Sequence, residues 1–309
     1  MLVSSAPGKI ILGGEHAVVY GYRAIAIAID RRLTIYVRDT EDVYPDNRNG
    51  LLSYMEHYLY PLKIDVVTDI PSSAGLGSSA AMSVAASAIK YHLKVNSASS
   101  ADKIAAEAFR IESEYQKGRA SPLDTTICTH GKAVIVNDGK PADFLWKIDK
   151  NDKYWKFYNL DMPEWKIIIV DSGIPKNTEV MVRNVEKVVL ETIDGMDHII
   201  RIDNIVGDMV GAINHKDLVK LGTLMTENEK ELEALDVKHT VTDRIIKYLK
   251  TYCFGTKITG AGGGGSVIGL VENDFKANKV LDLMKEHGFN AFTLKTGVRG
   301  LTIENATKE

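Results

Sequence analysis

The stretch PSSAGLGSSAAMSV, residues 71–84, joins two segments that differ in hydrophobic periodicity. The preceding KIDVVTDI (63–70) is typical of a strand, and residues 79–93 are typical of a helix. Gly75 and Gly77 accept a positive φ and carry no Cβ, so successive N–H groups can point at one anion beside the helix N-terminus. The stretch therefore predicts a phosphate-binding loop, and the alternative is an ordinary turn in which a serine caps the helix.

Composition and charge place the chain among globular proteins. Of its 309 residues, 45% are hydrophobic and 26% are charged, which argues against disorder. The net charge is only −3, so no global field attracts nucleic acid or an anionic membrane. Cys128 and Cys253 are far apart, and the longest apolar stretch, AIAIAI (24–29), is too short to span a bilayer. We expect a soluble cytoplasmic protein without nucleic-acid or membrane partners.

Strand and helix patterns form two blocks along the chain. The first block has strand patterns at residues 1–40, 63–70 and 132–138 and helical patterns at 79–93 and 101–116. The second has strand patterns at 164–173, 256–271 and 291–298 and helical patterns at 178–193, 197–214, 216–234, 239–252 and 275–287. Residues 150–163 indicate a polar, irregular connector. These patterns predict an α+β protein with two domains, residues 1–155 and 156–309.

Two more segments combine glycines with strand-like flanks. SSAPGKIILGGEHAVVYG (4–21) places Lys9, Glu15 and His16 around a Pro-Gly turn and a double glycine. KITGAGGGGSVIGLV (257–271) places four consecutive glycines between two strand-like flanks. Such a run suits close backbone approach between elements better than a linker.

Together, these three segments resemble the signature motifs of the GHMP kinase family, the small-molecule kinases for galactose, homoserine, mevalonate and phosphomevalonate. GEHAVVYG (14–21) is similar to the members that act on mevalonate, and QKGRASPLDTTICTHG (116–131) resembles the segment with their catalytic aspartate, especially in the archaeal form. The sequence departs from the family pattern at two positions. Lys117 is an apparent one-residue insertion, and Lys132 replaces a glycine. The resemblance implies a ribosomal protein S5 domain 2-like N-terminal ATP-binding domain, a ferredoxin-like C-terminal domain and a homodimer.

The resemblance also implies a binding site for ATP and Mg²⁺. The residues of the implied phosphate loop are Pro71, Ser72, Ser73, Ala74, Gly75, Leu76, Gly77, Ser78 and Ser79. Ser79 matches the serine that helps to hold Mg²⁺, and Glu112 is the expected carboxylate partner. Because of the apparent insertion, Glu114 stays an alternative metal ligand. Residues 44–49 are a first guess for the adenine contacts.

The implied catalytic residues are Asp124, which would take the proton of the acceptor hydroxyl, and Lys9, near the γ-phosphate. Asp124 has a structural alternative, because SPLD also fits a helix start with an acidic capping box. Glu15 and His16 would line the acceptor site. The resemblance also implies that Gly262 and Gly263 contact the substrate. These glycines would let the C-terminal domain close on the phosphate loop and the substrate.

The resemblance leads us to expect transfer of the γ-phosphoryl group of ATP to the 5-hydroxyl of mevalonate, in isoprenoid biosynthesis. One alternative is a kinase for a phosphorylated mevalonate such as mevalonate 3-phosphate, because Lys117, Arg119 and Lys132 lie near Asp124 in sequence. A decarboxylase is less favoured, because PGKIILGGEH has the kinase form of the motif. Another alternative is a non-catalytic ATP sensor.

Overall fold

The computed structural model describes residues 1–38, 50–72, 74–95, 100–116, 120–150, 153–176 and 178–305. Ser73, Lys117, Arg119 and the adenine segment 44–49 lie outside these ranges. The strands are β1 (Leu2–Gly13), β2 (Ile25–Arg38), β3 (Lys63–Thr68), β4 (Ala133–Val136), β5 (Phe144–Lys150), β6 (Lys153–Asn159), β7 (Lys166–Asp171), β8 (Gly255–Thr259), β9 (Ser266–Val271), β10 (Asn290–Leu294) and β11 (Thr302–Asn305).

The helices carry most of the remaining described residues, and the mixture of helices and sheets confirms the α+β prediction. They are α1 (Leu51–Leu59), α2 (Ser78–Val95), α3 (Ala101–Tyr115), α4 (Pro122–His130), α5 (Thr178–Glu191), α6 (Gly195–Asn214), α7 (Leu218–Ala234), α8 (Thr240–Leu249) and α9 (Asp274–Glu286). No helix among the described residues has the length and apolar character that crossing a bilayer requires.

A seven-stranded antiparallel sheet has the order β11-β1-β2-β4-β6-β5, with β3 also paired to β2. Helices α2 and α4 pack against β1 and β2. Residues 6–13 of β1 are all buried, because α6, α7 and β8 of the second half also contact this strand. The strand that carries Lys9 therefore lies between the two halves of the molecule.

The second sheet is antiparallel, with the order β10-β7-β9-β8. Its central strands β7 and β9 are apolar and buried, which explains why their sequence patterns were easy to recognise. Helix α7 packs on β8, α8 packs on β8 and β9, and α9 packs on β7 and β10. The glycine-rich segment 260–265 connects β8 to β9 at the edge that meets β1.

The prediction of an irregular connector at 150–163 is wrong for residues 153–159, which form β6 and pair with β4 and β5. Trp155 and Phe157 are buried on the inner face, and Phe157 stacks on Trp146 at a ring-centroid distance of 5.2 Å. These aromatics alternate with more exposed Lys and Tyr, and this period of two was the overlooked strand signal. A domain boundary at 155/156 would cut β6, and β11 returns to the first sheet.

Candidate active site

A cavity of about 260 Å³ lies where the phosphate-loop segment, β1 and the glycine-rich segment 260–265 meet. It is lined by Lys9, Ile11, Glu15, His16, Val18, Val19, Pro71, Gly75, Leu76, Gly77, Ser78, Ser79, Glu112, Gln116, Ser121, Asp124, Lys176, Thr178, Val182, Gly260 and Ala261. The cavity thus brings together residues from both halves of the chain.

The phosphate-loop segment lies directly against β1. The backbone N–H of Lys9 donates to the Leu76 carbonyl at 2.8 Å. Gly77 has φ +83°, and a Cβ there would come within 2.8 Å of the Lys9 Cγ, so a larger residue would collide with the lysine. The loop runs into the N-terminus of α2, where unpaired N–H groups and the helix dipole favour an anion. This local geometry suits a phosphate group.

Asp124 and Lys9 face each other in the cavity. The Lys9 Nζ lies 3.2 Å from the Asp124 Oδ2, and the two side chains are 2% and 21% exposed. Ser121 caps α4, because its hydroxyl accepts the Leu123 N–H at 3.2 Å. The buried Asp124 Oδ1 has no hydrogen-bond partner among the described residues and the Oδ2 faces Lys9, so the carboxylate does not complete a capping box. The start of α4 is thus capped by Ser121, and the Asp124 carboxylate is left to interact with a ligand.

Three cavity-lining residues carry buried oxygens for which the described residues provide no hydrogen-bond partner. These oxygens are the Ser79 Oγ, the Glu112 Oε2 and the Asp124 Oδ1. Buried polar atoms normally have partners, so these atoms indicate positions for ligand groups. One or two carboxylates with a hydroxyl suit Mg²⁺, which takes its other ligands from phosphates and water. The residues present therefore fit Mg²⁺.

Glu112, rather than Glu114, lies in the cavity. The Glu112 Oε1 accepts from the Gln116 Nε2 at 2.8 Å. Burial and, second, the charge of Asp124 raise the pKa of Glu112 to about 7, so a cation at its free oxygen would relieve this repulsion. Glu114 is half exposed and pairs with Arg110 on the outer side of α3.

His16 is held in the turn after β1. Its φ is 62°, an unusual value for a residue with a side chain. Burial lowers its pKa to about 4, so the ring is neutral near pH 7. The Nε2 lies 3.0 Å from the Ala261 carbonyl, which can only accept, so the proton resides on Nε2. The Nδ1 is consequently left as an acceptor for a ligand hydroxyl.

Glu15 belongs to a buried charge cluster that links the two halves. The Lys257 Nζ donates to the Glu15 Oε1 and, at 2.6 Å, to the Ile258 carbonyl. The Glu229 Oε2 accepts the Ile258 N–H at 2.9 Å. Burial raises the pKa of Glu229 to about 8 and also raises the pKa of Glu15. Glu15 lines the cavity, but one of its oxygens is occupied by Lys257.

The second half of the chain contacts the phosphate loop and the cavity through residues other than the expected pair, Gly262 and Gly263. The Ser266 Oγ donates to the Ala74 carbonyl at 2.9 Å. Gly260 and Ala261 line the cavity, whereas Gly262 and Gly263 are absent from its wall. Among the close neighbours of these two glycines are Val237 and Met181, respectively. The structure thus places them behind the wall and not on it.

Lys176 was missed by the sequence analysis. It lies between β7 and α5 and lines the cavity from the second half of the chain. Burial and the charge of Lys9 lower the pKa of Lys176. The only sequence signal was a lysine in a short loop after a buried strand, SGIPKNT (172–178). Lys132, in contrast, is exposed beyond the far end of α4 and does not line the cavity.

Comparisons with known proteins agree with this arrangement. Residues 48–132 match the GHMP kinases N terminal domain, and residues 209–290 match GHMP kinases C terminal. A mevalonate kinase from Methanocaldococcus jannaschii is 30% identical and covers 92% of this chain and 96% of its own length. A mevalonate kinase from Methanothermobacter thermautotrophicus is 31% identical over 86% of this chain and 88% of its own.

Solved structures give the same result for the fold. The crystal structure of the Methanococcus jannaschii mevalonate kinase has a TM-score of 0.76 and 28% identity, and the match covers 96% of this chain and 98% of that chain. These matches confirm the predicted two-domain α+β fold. The chain therefore belongs to the GHMP kinase family, and it is an ATP-dependent kinase with an alcohol acceptor.

Proposed function

We propose that this chain transfers the γ-phosphoryl group of ATP to the 5-hydroxyl of mevalonate, a step of isoprenoid biosynthesis. The observation that carries the proposal is the approach of Lys9 and Asp124 to 3.2 Å beside the phosphate loop. Relatives that are about 30% identical over most of the chain and are named mevalonate kinases support this acceptor.

The transfer needs alignment of the hydroxyl with the phosphorus and neutralisation of phosphate charge. The N–H groups of residues 74–79, where the phosphate loop runs into α2, bind the triphosphate. Asp124 accepts the proton as the hydroxyl oxygen attacks the γ-phosphorus, and the bond to the β,γ-bridging oxygen breaks, so that ADP leaves with the electron pair. Lys9 orients the Asp124 carboxylate and offers its positive charge to the transferred group.

Ser79 and Glu112 would hold Mg²⁺ through their unpartnered oxygens. There, the ion would neutralise charge on the phosphate oxygens of the nucleotide. Glu114 has no part in this proposal, because it points away from the cavity and pairs with Arg110.

The acceptor site uses the wall of the cavity that His16, Ala261 and Lys176 form. The neutral His16 ring offers its Nδ1 to an acceptor hydroxyl. Lys176 supplies a positive charge that suits the carboxylate of mevalonate, and burial and, second, the positive charge of nearby Lys9 lower its pKa. Ala261 lies against this wall, and its carbonyl fixes the tautomer of His16. The acceptor is thus held by one neutral acceptor group and one cation.

A coupled assay of ADP release with ATP, Mg²⁺ and mevalonate tests the function. We expect ADP formation that depends on mevalonate and falls by at least about 10³-fold in Asp124→Asn, because the base is lost while the side-chain volume is kept. Tight ATP binding in calorimetry, without transfer to mevalonate, would favour the alternative of an ATP sensor.

We further propose that the chain forms a homodimer and is located in the cytoplasm. We also propose that it divides into two domains, with the boundary after β6. These proposals follow from the family resemblance and from the course of the strands. Light scattering of the purified chain tests the assembly: a mass twice that of the chain supports the dimer, and the mass of one chain contradicts it.

A further inference from the structure

The side chain of Arg23 connects the segment before β2 to helix α6 of the second half. Its Nε donates to the Asp203 Oδ1 at 3.0 Å, and its Nη2 donates to the Asp203 Oδ2 at 2.7 Å. The backbone N–H of Arg23 donates to the same Oδ1 at 2.8 Å. One carboxylate thus binds both the main chain and the guanidinium of Arg23, and such a two-oxygen contact fixes orientation as well as distance.

Helix α6 provides the space that this pair needs. Gly207 lies one helical turn after Asp203, and a Cβ there would come within 2.4 Å of the Arg23 Nη1. The same Nη1 lies 3.4 Å from the Asp138 Oδ2 of the first half. The side chains of Arg23 and Asp203 are 27% and 17% exposed, so water screens their attraction less than that of a surface pair. The carboxylate and the glycine together form a fitted site for the guanidinium.

Arg23 also lies against the start of the turn that carries His16. Gly14 has φ +96°, and a Cβ there would come within 2.4 Å of the Arg23 carbonyl oxygen. The Tyr22 N–H donates to the Ala17 carbonyl at 3.2 Å, so the segment folds back on itself between these two contacts. A displacement of Arg23 would therefore move Gly14 and, two residues further, His16.

Other contacts from the second half hold the same turn. The Asn228 Oδ1 accepts the Gly14 N–H at 3.1 Å, and the His16 Nε2 lies 3.0 Å from the Ala261 carbonyl. The second half thus holds the segment at its start, at His16 and, through Asp203, at its end. Neither Arg23 nor Asp203 lines the cavity, so the pair can act on a bound acceptor only through this turn.

We propose that Arg23 and Asp203 are positioning residues for the acceptor: they hold the turn so that the His16 Nδ1 faces the acceptor hydroxyl. This inference rests on the proposed function. Without the pair, the turn would loosen, and the imidazole would lose the orientation in which it binds the hydroxyl. The nucleotide binds at residues 74–79, in a different segment of the chain, so its affinity should not depend on Arg23 and Asp203.

Steady-state kinetics with ATP and mevalonate test this role. In Asp203→Ala, we expect KM for mevalonate to rise at least about tenfold, whereas KM for ATP stays within about twofold. Asp203→Asn keeps one oxygen that can accept the Arg23 N–H, so it should recover part of the loss. Asp65→Ala is the matched control, because Asp65 pairs with Arg38 at the far end of β2 and does not line the cavity, and both KM values should stay unchanged.

Titration of the His16 ring gives a readout that does not depend on the acceptor. Burial, together with the charge of Lys257, lowers the pKa of His16 to about 4, although the contact with the Ala261 carbonyl raises it. In Asp203→Ala, water should reach the ring, so the pKa should rise toward the ordinary value of about 6.5. NMR measures the titration, and the absence of the signal in His16→Asn assigns it. Asp65→Ala should titrate like the wild type.

The outcomes separate the two proposals. If the wild type does not turn over mevalonate, the proposed function fails, and the ring titration alone decides whether the pair positions His16. If the wild type is active, an Asp203→Ala variant that is folded by thermal melting and keeps KM for mevalonate overturns the positioning role. Equal increases in both KM values, or an unchanged pKa of His16, overturn it as well. If Asp203→Ala does not fold, the milder Asp203→Asn decides by the same measurements.

Discussion

Two lysine–carboxylate pairs include a residue of β1 or of the turn that follows it, and the surroundings of the two pairs differ. In the pair of Lys9 and Asp124, the carboxylate is 21% exposed, and one of its oxygens has no partner in the described part of the chain. In the pair of Lys257 and Glu15, the side chains are 0% and 1% exposed, and the lysine also donates to a carbonyl. The first pair can exchange contacts with a ligand, whereas the second holds the two halves of the molecule together.

The largest expected effect is on turnover in Asp124→Asn. Loss of the proton acceptor should lower kcat by about 10³-fold or more, whereas ATP binding should change little. Stability should fall by less than in a fully buried pair, because Lys9 loses its charge partner but Asp124 is 21% exposed. The ADP-release assay gives kcat, calorimetry gives the Kd for ATP, and thermal melting reports folding. A variant that retains kcat within about tenfold of the wild type would place the base elsewhere.

Lys257→Met should affect stability more than any substitution at Asp124. Removal of one partner from a buried ion pair leaves the Glu15 charge without compensation, which costs about 3–5 kcal/mol of unfolding free energy. Urea denaturation measures the loss. The double variant Lys257→Met, Glu15→Gln leaves no unpaired charge and should recover part of it. An unfolding free energy equal to that of the wild type contradicts a linking role for this pair.

The Glu229 carboxyl should make stability depend on pH. Its pKa is raised to about 8 by burial, whereas the same carboxyl in the unfolded chain titrates near 4.5. Between these values, the folded state binds the additional proton, so the unfolding free energy falls as pH rises. We expect a loss of about 2 kcal/mol between pH 6 and 8, and a flatter profile in Glu229→Gln. Parallel profiles for both proteins would contradict the raised pKa.

The smallest effect concerns the metal. Ser79→Ala removes one proposed Mg²⁺ ligand and should raise the Mg²⁺ concentration for half-maximal ADP release by about tenfold, or about 1.4 kcal/mol. Ser83→Ala is the matched control, because Ser83 is buried on the same helix, does not line the cavity, and has no partner for its hydroxyl within the described ranges. Equal Mg²⁺ dependence in both variants would remove Ser79 from the metal site.

Local motifs explain which parts of the site the sequence could predict. The phosphate loop, the capped start of α4 and the turn with His16 each depend on neighbouring residues, so their patterns were visible. Lys176 and the cluster around Lys257 depend on contacts between distant segments, which no local pattern records. The strand at residues 153–159 is hard to predict, because its many polar side chains conceal the alternation of buried and exposed positions.

Detection of the phosphorylated product tests the central claim most directly. Phosphorus NMR of ATP, Mg²⁺ and mevalonate with the purified chain should show conversion of ATP to ADP together with a new phosphomonoester coupled to the protons on carbon 5. The same mixture with Asp124→Asn should stay unchanged over the same period. Unaltered ATP with the wild type, or an equal rate of ester formation in the variant, would contradict a kinase site built on Lys9 and Asp124.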